Sequence, residues 1–279
     1  MKRFFAILTV LVLSLTPMNG CLAEGESALG LLSPQGVSED ELNDNLKDIL
    51  FNVLPFSGYR FFDTFNSMIT ALNSGTIAGI ETDEYVAGYI FSHLDGFASY
   101  TTDALPEYHV GYSMLLREED TELRDRISGA IADMKADGTL DRLKALYIDD
   151  CIAGKEPEAM VPEQIDGAET LVVAVTGDRP PMDYFSADGT PIGFNTALAV
   201  EVADRLGMNV QFVSVDSGAR AVALASESAD VVFWSVLGDF NNWEKASEED
   251  QPENTILTEP YLTGIECYVV REDSSIAAD

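Results

Sequence analysis

LVVAVTGDRPPMDYFSADGTPIGFNTALAVEVADRLGMNVQFVSVDSGARAVALASESADVVFWSV, Leu171 to Val236, is the stretch that decides the fold. Leu171 to Val175 is an apolar strand, broken by Gly177, Pro180 and Pro181. Asp188-Gly189 marks a hairpin turn between short flanks. Asn195 is placed to cap a helix in which Leu198, Val202 and Leu206 recur at helical spacing, and Gly207 stops it. Val210 to Val215 reads as a second strand, Ala219 to Ala225 as a short helix, and Asp230 to Val236 as a third strand. This alternation with short links predicts an α/β unit with a parallel sheet covered on both faces. Ligands of such sheets sit beyond the carboxyl ends of the strands. Those ends carry Gly177-Asp178-Arg179, Asp216-Ser217-Gly218 and Trp234-Ser235.

A second unit of the same kind lies upstream. Residues 24–45 begin as a polar tether, with a short strand predicted at Leu29–Leu32 and a helix over Ser38–Leu50. Tyr59 to Phe65 is an aromatic strand, and Asn66 is placed to cap the next helix, which Gly75 ends. Thr76 to Glu81 is a strand whose carboxyl end leads to Asp83. A helix follows with Val86, Tyr89, Ile90 and Leu94 on one face. Tyr108 to Leu116 alternates as a strand. Asp120 or Thr121 then caps an amphipathic helix carrying Leu123, Ile127, Ile131 and Met134. Gly138 ends it, and Thr139 starts a further helix. Residues 150–168 read as a linker, residues 239–254 as an acidic polar loop, and Glu266 to Val270 as a last strand.

The chain has 279 residues, and 48 acids face 16 bases for a net charge of −32, which argues against nucleic acid and anionic membrane surfaces as partners. Lys2-Arg3 precedes an apolar run from Phe4 to Leu15, too short to span a bilayer and followed by Pro17 and small residues. That is the pattern of an export signal. Gly20-Cys21 resembles the end of a lipobox, which makes Cys21 a candidate lipidation site; cleavage after Ala23 is the alternative. Export permits a disulfide between Cys151 and Cys267. His93 and His109 are too few for a His-rich metal site. No nucleophile–base pair, metal-ligand spacing or phosphate loop is present in the sequence, so an enzyme, a metal and a cofactor are not expected.

The residues resemble the bacterial extracellular solute-binding proteins of family 3, the amino-acid-binding components of ABC transporters with the type II periplasmic binding fold. TGDRPPMDYFSADGTPIGFNTALAVEVADRLG (176–207) and SADVVFWSV (228–236) are similar to the family's first lobe. LTEPYLTGIECYVVRED (257–273) resembles the segment that crosses to its second lobe. FNSMITALNSGTIAGIETDEYVAGYIF (65–91) resembles the second lobe itself, and TELRDRISGAIADMKADGTLDRLKALYI (121–148) the family's final helices. The likeness covers most of residues 59–271.

The order differs from the family's, because second-lobe parts and closing helices precede the first lobe. The resemblance therefore implies a two-lobed α/β fold, circularly permuted; a fragment of a longer tandem binding protein is the alternative. The expected organisation is a signal over 1–23, a tether and start of the second lobe over 24–58, and second-lobe unit over 59–118. Closing helices on the first lobe follow over 119–149, then a linker over 150–168, a first-lobe unit with crossover strand over 169–271, and a tail over 272–279.

In the family, a second-lobe acid takes the ligand's ammonium and a first-lobe arginine its carboxylate. Asp83 matches that acid; capping the following helix is its other reading. The arginine of the family's T-x-x-R pattern is missing, since Gly238-Asp239-Phe240-Asn241 stands there. Arg179, where members often carry a stacking aromatic, is the replacement; a solvent-exposed turn residue is the alternative. Trp234 offers a π face or packs in the core. Ser217 and Ser235 are hydrogen-bonders at the same rim, and Tyr184 is a further candidate. The implied function is an extracytoplasmic, lipid-anchored, monomeric protein that captures a small polar, amino-acid-like ligand for an ABC permease. The alternative is a ligand-sensing input module of a membrane receptor.

Overall fold

A computed structural model describes residues 27–34, 37–48, 50–103, 109–239, 242–246 and 251–278. The export signal and Cys21 lie outside them. The first half contains β1 (Leu29–Leu32), α1 (Glu39–Leu46), β2 (Tyr59–Phe62), α2 (Phe65–Asn73), β3 (Gly79–Asp83), α3 (Glu84–His93), β4 (Phe97–Tyr100) and β5 (His109–Arg117). The helices α4 (Thr121–Asp137), α5 (Thr139–Lys144) and α6 (Asp150–Ile152) follow, with a π turn over Ala145–Asp149. The second half contains β6 (Thr170–Val175), β7 (Asp178–Arg179), β8 (Asp183–Phe185), β9 (Pro191–Ile192), α7 (Phe194–Leu206), β10 (Asn209–Ser214), α8 (Arg220–Ala225), β11 (Val231–Asp239), β12 (Asn242–Ala246), β13 (Thr255–Leu257) and β14 (Leu262–Arg271).

The strands form two lobes joined into one continuous ladder, β10-β6-β11-β5-β14-β3-β1-β2. In the first lobe β10, β6 and β11 run parallel; β5 enters antiparallel beside β11, and β13 pairs with its far side. In the second lobe β2, β1 and β3 run parallel; β14 enters antiparallel beside β3, and β4 pairs with β14. Each lobe thus receives one antiparallel strand from the other half of the chain. The purely parallel sheet expected from the α/β alternation is corrected to a mixed one. Local pattern does not reveal which strand a distant segment joins.

The two crossover strands also pair with each other, Leu262 to Ile265 against Tyr112 to His109. β14 is therefore longer than the Glu266–Val270 strand read from sequence. Its first residues need a partner from β5 that is remote in the chain. β12 lies in the segment expected as a loop and pairs with the end of β11.

The core continues across both lobes. Ile80, Val86 and Ile90 of the second lobe belong to the same buried cluster as Val173, Leu198 and Val231 of the first. The α4–α5 pair packs on α7. Arg205 on α7 reaches Asp137 at 2.8 Å, and Arg126 donates to the Leu206 carbonyl at 3.2 Å. Gly138 ends α4 with φ at +80°, a left-handed C-cap that glycine adopts without a Cβ penalty.

Two expected caps are corrected. Thr64, not Asn66, caps α2, its side chain accepting from the Ser67 N–H. Asn195 does not cap α7; the helix starts at Phe194, directly after Gly193. Asn195 instead faces inward, buried, where its amide serves a polar network.

Candidate functional site

The segments that follow β6 and β10 meet the carboxyl ends of β3 and β2 across the junction between the lobes. Gly177-Asp178-Arg179 leaves β6 and forms a small three-stranded sheet, β7-β8-β9. Gly193 closes this excursion at φ +117°, and a Cβ there would lie 2.5 Å from the Met182 carbonyl oxygen. Only glycine fits such a close backbone approach.

From this excursion two adjacent side chains reach the second lobe. Arg179 Nη2 meets Asp83 Oδ2 at 2.5 Å. The Asp178 carboxylate accepts from the Asn66 N–H at 3.2 Å, at the start of α2. Burial raises the Asp178 pKa, and the Asn66 N–H opposes that rise. The acid sits at a helix N-terminus, where unsatisfied N–H groups favour negative charge. A third bridge runs from the Ser217 N–H to the Asp63 carbonyl at 3.1 Å. These contacts hold the lobes against each other.

Asp83 is 2% exposed, and its reading as a helix cap holds. Its Oδ1 accepts the N–H groups of Tyr85 and Val86, each at 3.0 Å, and so caps α3. Its Oδ2 takes Arg179. Arg179 is not a surface turn residue. Burial pulls its pKa down, but the Asp83 charge and the nearby tyrosines and Asp183 outweigh that, and the net shift is upward. Its Nε is buried without a hydrogen-bond partner.

Buried tyrosines lie beside the pair. Tyr112 on β5 lies between Tyr85 at 6.2 Å and Tyr261 at 6.4 Å, centroid to centroid. The Tyr112 hydroxyl is also buried without a partner of hydrogen-bond geometry. Burial, and then the Asp83 charge, push its pKa well above the usual phenol value. The Tyr261 hydroxyl donates to Asn195 Oδ1 at 3.0 Å, and Asn195 Nδ2 donates to Asp183 Oδ2 at 2.9 Å. The other Asp183 oxygen accepts from the Thr176 N–H, the Thr176 hydroxyl and the Gly177 N–H. This network fixes the turn that projects Arg179.

The remaining expected residues divide. Ser235 lies on β11 in register with Tyr112, on the same face as Phe233. Ser217 is buried at the entrance to α8. Trp234 packs with Leu115, Ala174, Ala223 and Leu224, so it is a core residue. Its π face is nonetheless used, by the protein's own Arg220, whose guanidinium lies 4.7 Å from the ring centroid. Tyr184 lies beside the Cys151 thiol, and burial raises the pKa of both groups. Cys151 and Cys267 form no disulfide, which corrects that expectation. Cys151 is buried in α6, whereas Cys267 sits on β14 opposite Thr82.

Arg220 was not among the residues singled out from sequence. Its one signal was isolation, for it is the sole Lys or Arg between Arg205 and Lys245 in an acidic chain. Tyr112 and Tyr261 gave no signal and Asn195 only that of a helix cap, since their roles depend on long-range pairing. Among the described residues no group of three His, Cys, Asp or Glu is arranged to hold a metal. No described helix is long and apolar enough to cross a membrane.

Residues 171–276 match the family model described as bacterial extracellular solute-binding proteins, family 3. No curated protein sequence matches the chain. Among solved structures, similarity extends to the ligand-binding component of an ABC-type import system from Staphylococcus aureus with zinc bound. The identity is 10% and the TM-score 0.41, over 88% of this chain and 66% of that one. It extends also to the binding protein AgaA from A. tumefaciens in complex with agropinic acid, at 13% identity and TM-score 0.40, over 77% of this chain and 55% of that one. A third is the P235GK mutant of ArgBP from T. maritima, at 13% identity and TM-score 0.39, over 89% and 85% of the two chains. The chain thus spans 66% and 55% of the length of the first two structures.

Proposed function

We propose that the whole chain captures a small polar, amino-acid-like solute between its two lobes, a reading supported by the match of residues 171–276 to the model of bacterial extracellular solute-binding proteins, family 3. The observation that carries the reading is the buried Asp83–Arg179 pair at 2.5 Å. Each lobe contributes one charge, at strand ends where α/β folds bind ligands. A zwitterion offers the complementary pair. Its ammonium takes Asp83 Oδ2 in place of Arg179, and its carboxylate falls among the guanidinium groups of the first lobe. Ser217 and Ser235 supply hydrogen bonds at the rim. A ligand that touches both lobes shifts the population toward the closed state.

The chain runs through this fold in permuted order, with residues 29–100 as the second lobe and residues 170–257 as the first. Supporting this, both lobes show one strand order, with a crossover strand inserted beside the third. Exported and held at the membrane through Cys21, the protein delivers its solute as a monomer to an ABC permease.

Thermal denaturation of the intact chain with each of the twenty common L-amino acids in turn tests the reading. A rise in melting temperature with at least one of them is expected, since a ligand that binds the native state stabilises it. No shift with any of them contradicts the amino-acid assignment.

A further inference from the structure

Arg220 stands out among the charged groups near the junction between the lobes. The α8 helix begins at Arg220, directly after the Ser217–Ala219 turn that touches the second lobe. The guanidinium lies over Trp234, 4.7 Å from the ring centroid, and its Nε donates to the Ser217 carbonyl at 3.0 Å. Nη1 donates to the Phe233 carbonyl at 3.2 Å, and Nη2 to the Ser217 hydroxyl at 3.4 Å. A guanidinium carries five N–H donors. Three are used here, all on neutral acceptors, and one on each terminal nitrogen is left. Among the described residues no carboxylate forms an ion pair with it, in a chain of net charge −32.

The surroundings intensify this. Burial, and then the like charge of Arg179, push the Arg220 pKa down to about 10. Asp183 attracts it from a distance, but that carboxylate is already occupied by Thr176, Gly177 and Asn195. Arg179 in turn has its Nε buried and unbonded. Two guanidinium groups therefore face the same region with donors to spare, and only Arg179 has an acid partner. Planar forks with paired free donors suit a carboxylate, and stacking on tryptophan holds the fork in place.

Resting on the solute-binding reading, we propose that Arg220, held on Trp234, reads the carboxylate of the solute in this cleft. It takes the role from a position on α8, outside the segment where the family's arginine is missing. Arg179 then works chiefly as the exchangeable partner of Asp83, and the solute must carry an anionic group.

The test uses the intact chain with Trp243→Phe, so that Trp234 is the remaining one of the two tryptophans. Its fluorescence is titrated with sodium propionate, and with sodium chloride and n-propylamine at matched ionic strength. A saturable change with propionate alone is expected. It should weaken about tenfold or more in Arg220→Gln, the loss of a hydrogen-bonded charge contact. Arg220→Lys, which keeps the charge but not the fork, should fall between the two and stands in if the Gln variant fails to fold. Equal propionate response in the folded variants, or a response shared with chloride, overturns the proposal. Saturable propionate binding with no amino acid bound sinks the amino-acid reading and leaves Arg220 in its role. An amino acid bound equally well by wild type and Arg220→Gln does the reverse.

Discussion

Arg179 of the first lobe and Asp83 of the second meet at 2.5 Å, and Asp83 caps α3 with its other oxygen. The two roles separate experimentally. Removing one partner of a buried pair strands the other charge and costs about 3–5 kcal/mol. Arg179→Met leaves the cap intact, whereas Asp83→Ala loses the cap as well, worth about 1 kcal/mol more. Urea unfolding should rank the variants in that order. A double-mutant cycle should show coupling between the two sites, and strict additivity would contradict the pair.

Gly193 sets the geometry from which Arg179 projects. At φ +117°, with the Met182 carbonyl 2.5 Å from where a Cβ would lie, Gly193→Ala should destabilise by about 1–3 kcal/mol. Gly129→Ala, in open space on α4, should be neutral or mildly stabilising. Thermal melts of both variants check the contrast.

A pH dependence follows from the second lobe. Glu81 on β3 and Glu266 on β14 share one face; the Tyr59 hydroxyl donates to Glu81 at 2.5 Å and the Tyr268 hydroxyl to Glu266 at 2.8 Å. Burial raises the Glu81 pKa from 4.5 to about 7 against the lowering effect of Tyr59. Burial and the Glu81 charge raise that of Glu266 well above its ordinary value. Both acids bind protons more tightly when folded. Their stabilisation is complete below pH 4.5 and is lost as pH rises through about 7. Melting temperature should therefore fall between those values, and Glu81→Gln should flatten the slope. A slope unchanged by that substitution would contradict the assignment.

Cys151 and Cys267 should be recovered as separate thiols. Alkylation under native conditions should leave the buried Cys151 slow to react, and denaturation should expose it. A disulfide-linked peptide containing both residues in unreduced digests would contradict the structure.

Much of the fold was legible because its elements announce themselves locally. Gly138 and Gly207 end their helices, Asp188-Gly189 turns a hairpin, and Asp83 sits where a strand gives way to a helix. The places of β5 and β14 were not legible, because an antiparallel insertion is defined by its neighbours across the sheet. For the same reason Asn195 looked like a cap, when its side chain joins Asp183 to Tyr261. The candidate site was half legible. Asp83 and Arg179 were found by their strand-end positions, although nothing in the sequence shows that they meet. Arg220 stayed hidden because Ser217-Gly218-Ala219-Arg220 carries no pattern beyond a helix start.

The central claim is that a solute enters the cleft by taking Asp83 from Arg179. Titration calorimetry of the intact chain with the most stabilising amino acid, repeated on Asp83→Asn, tests it most directly. Saturable one-to-one binding is predicted for the wild type, weakened about tenfold or more in the variant, as expected for the loss of a charge-assisted contact. Binding of equal strength in the two proteins would contradict the account.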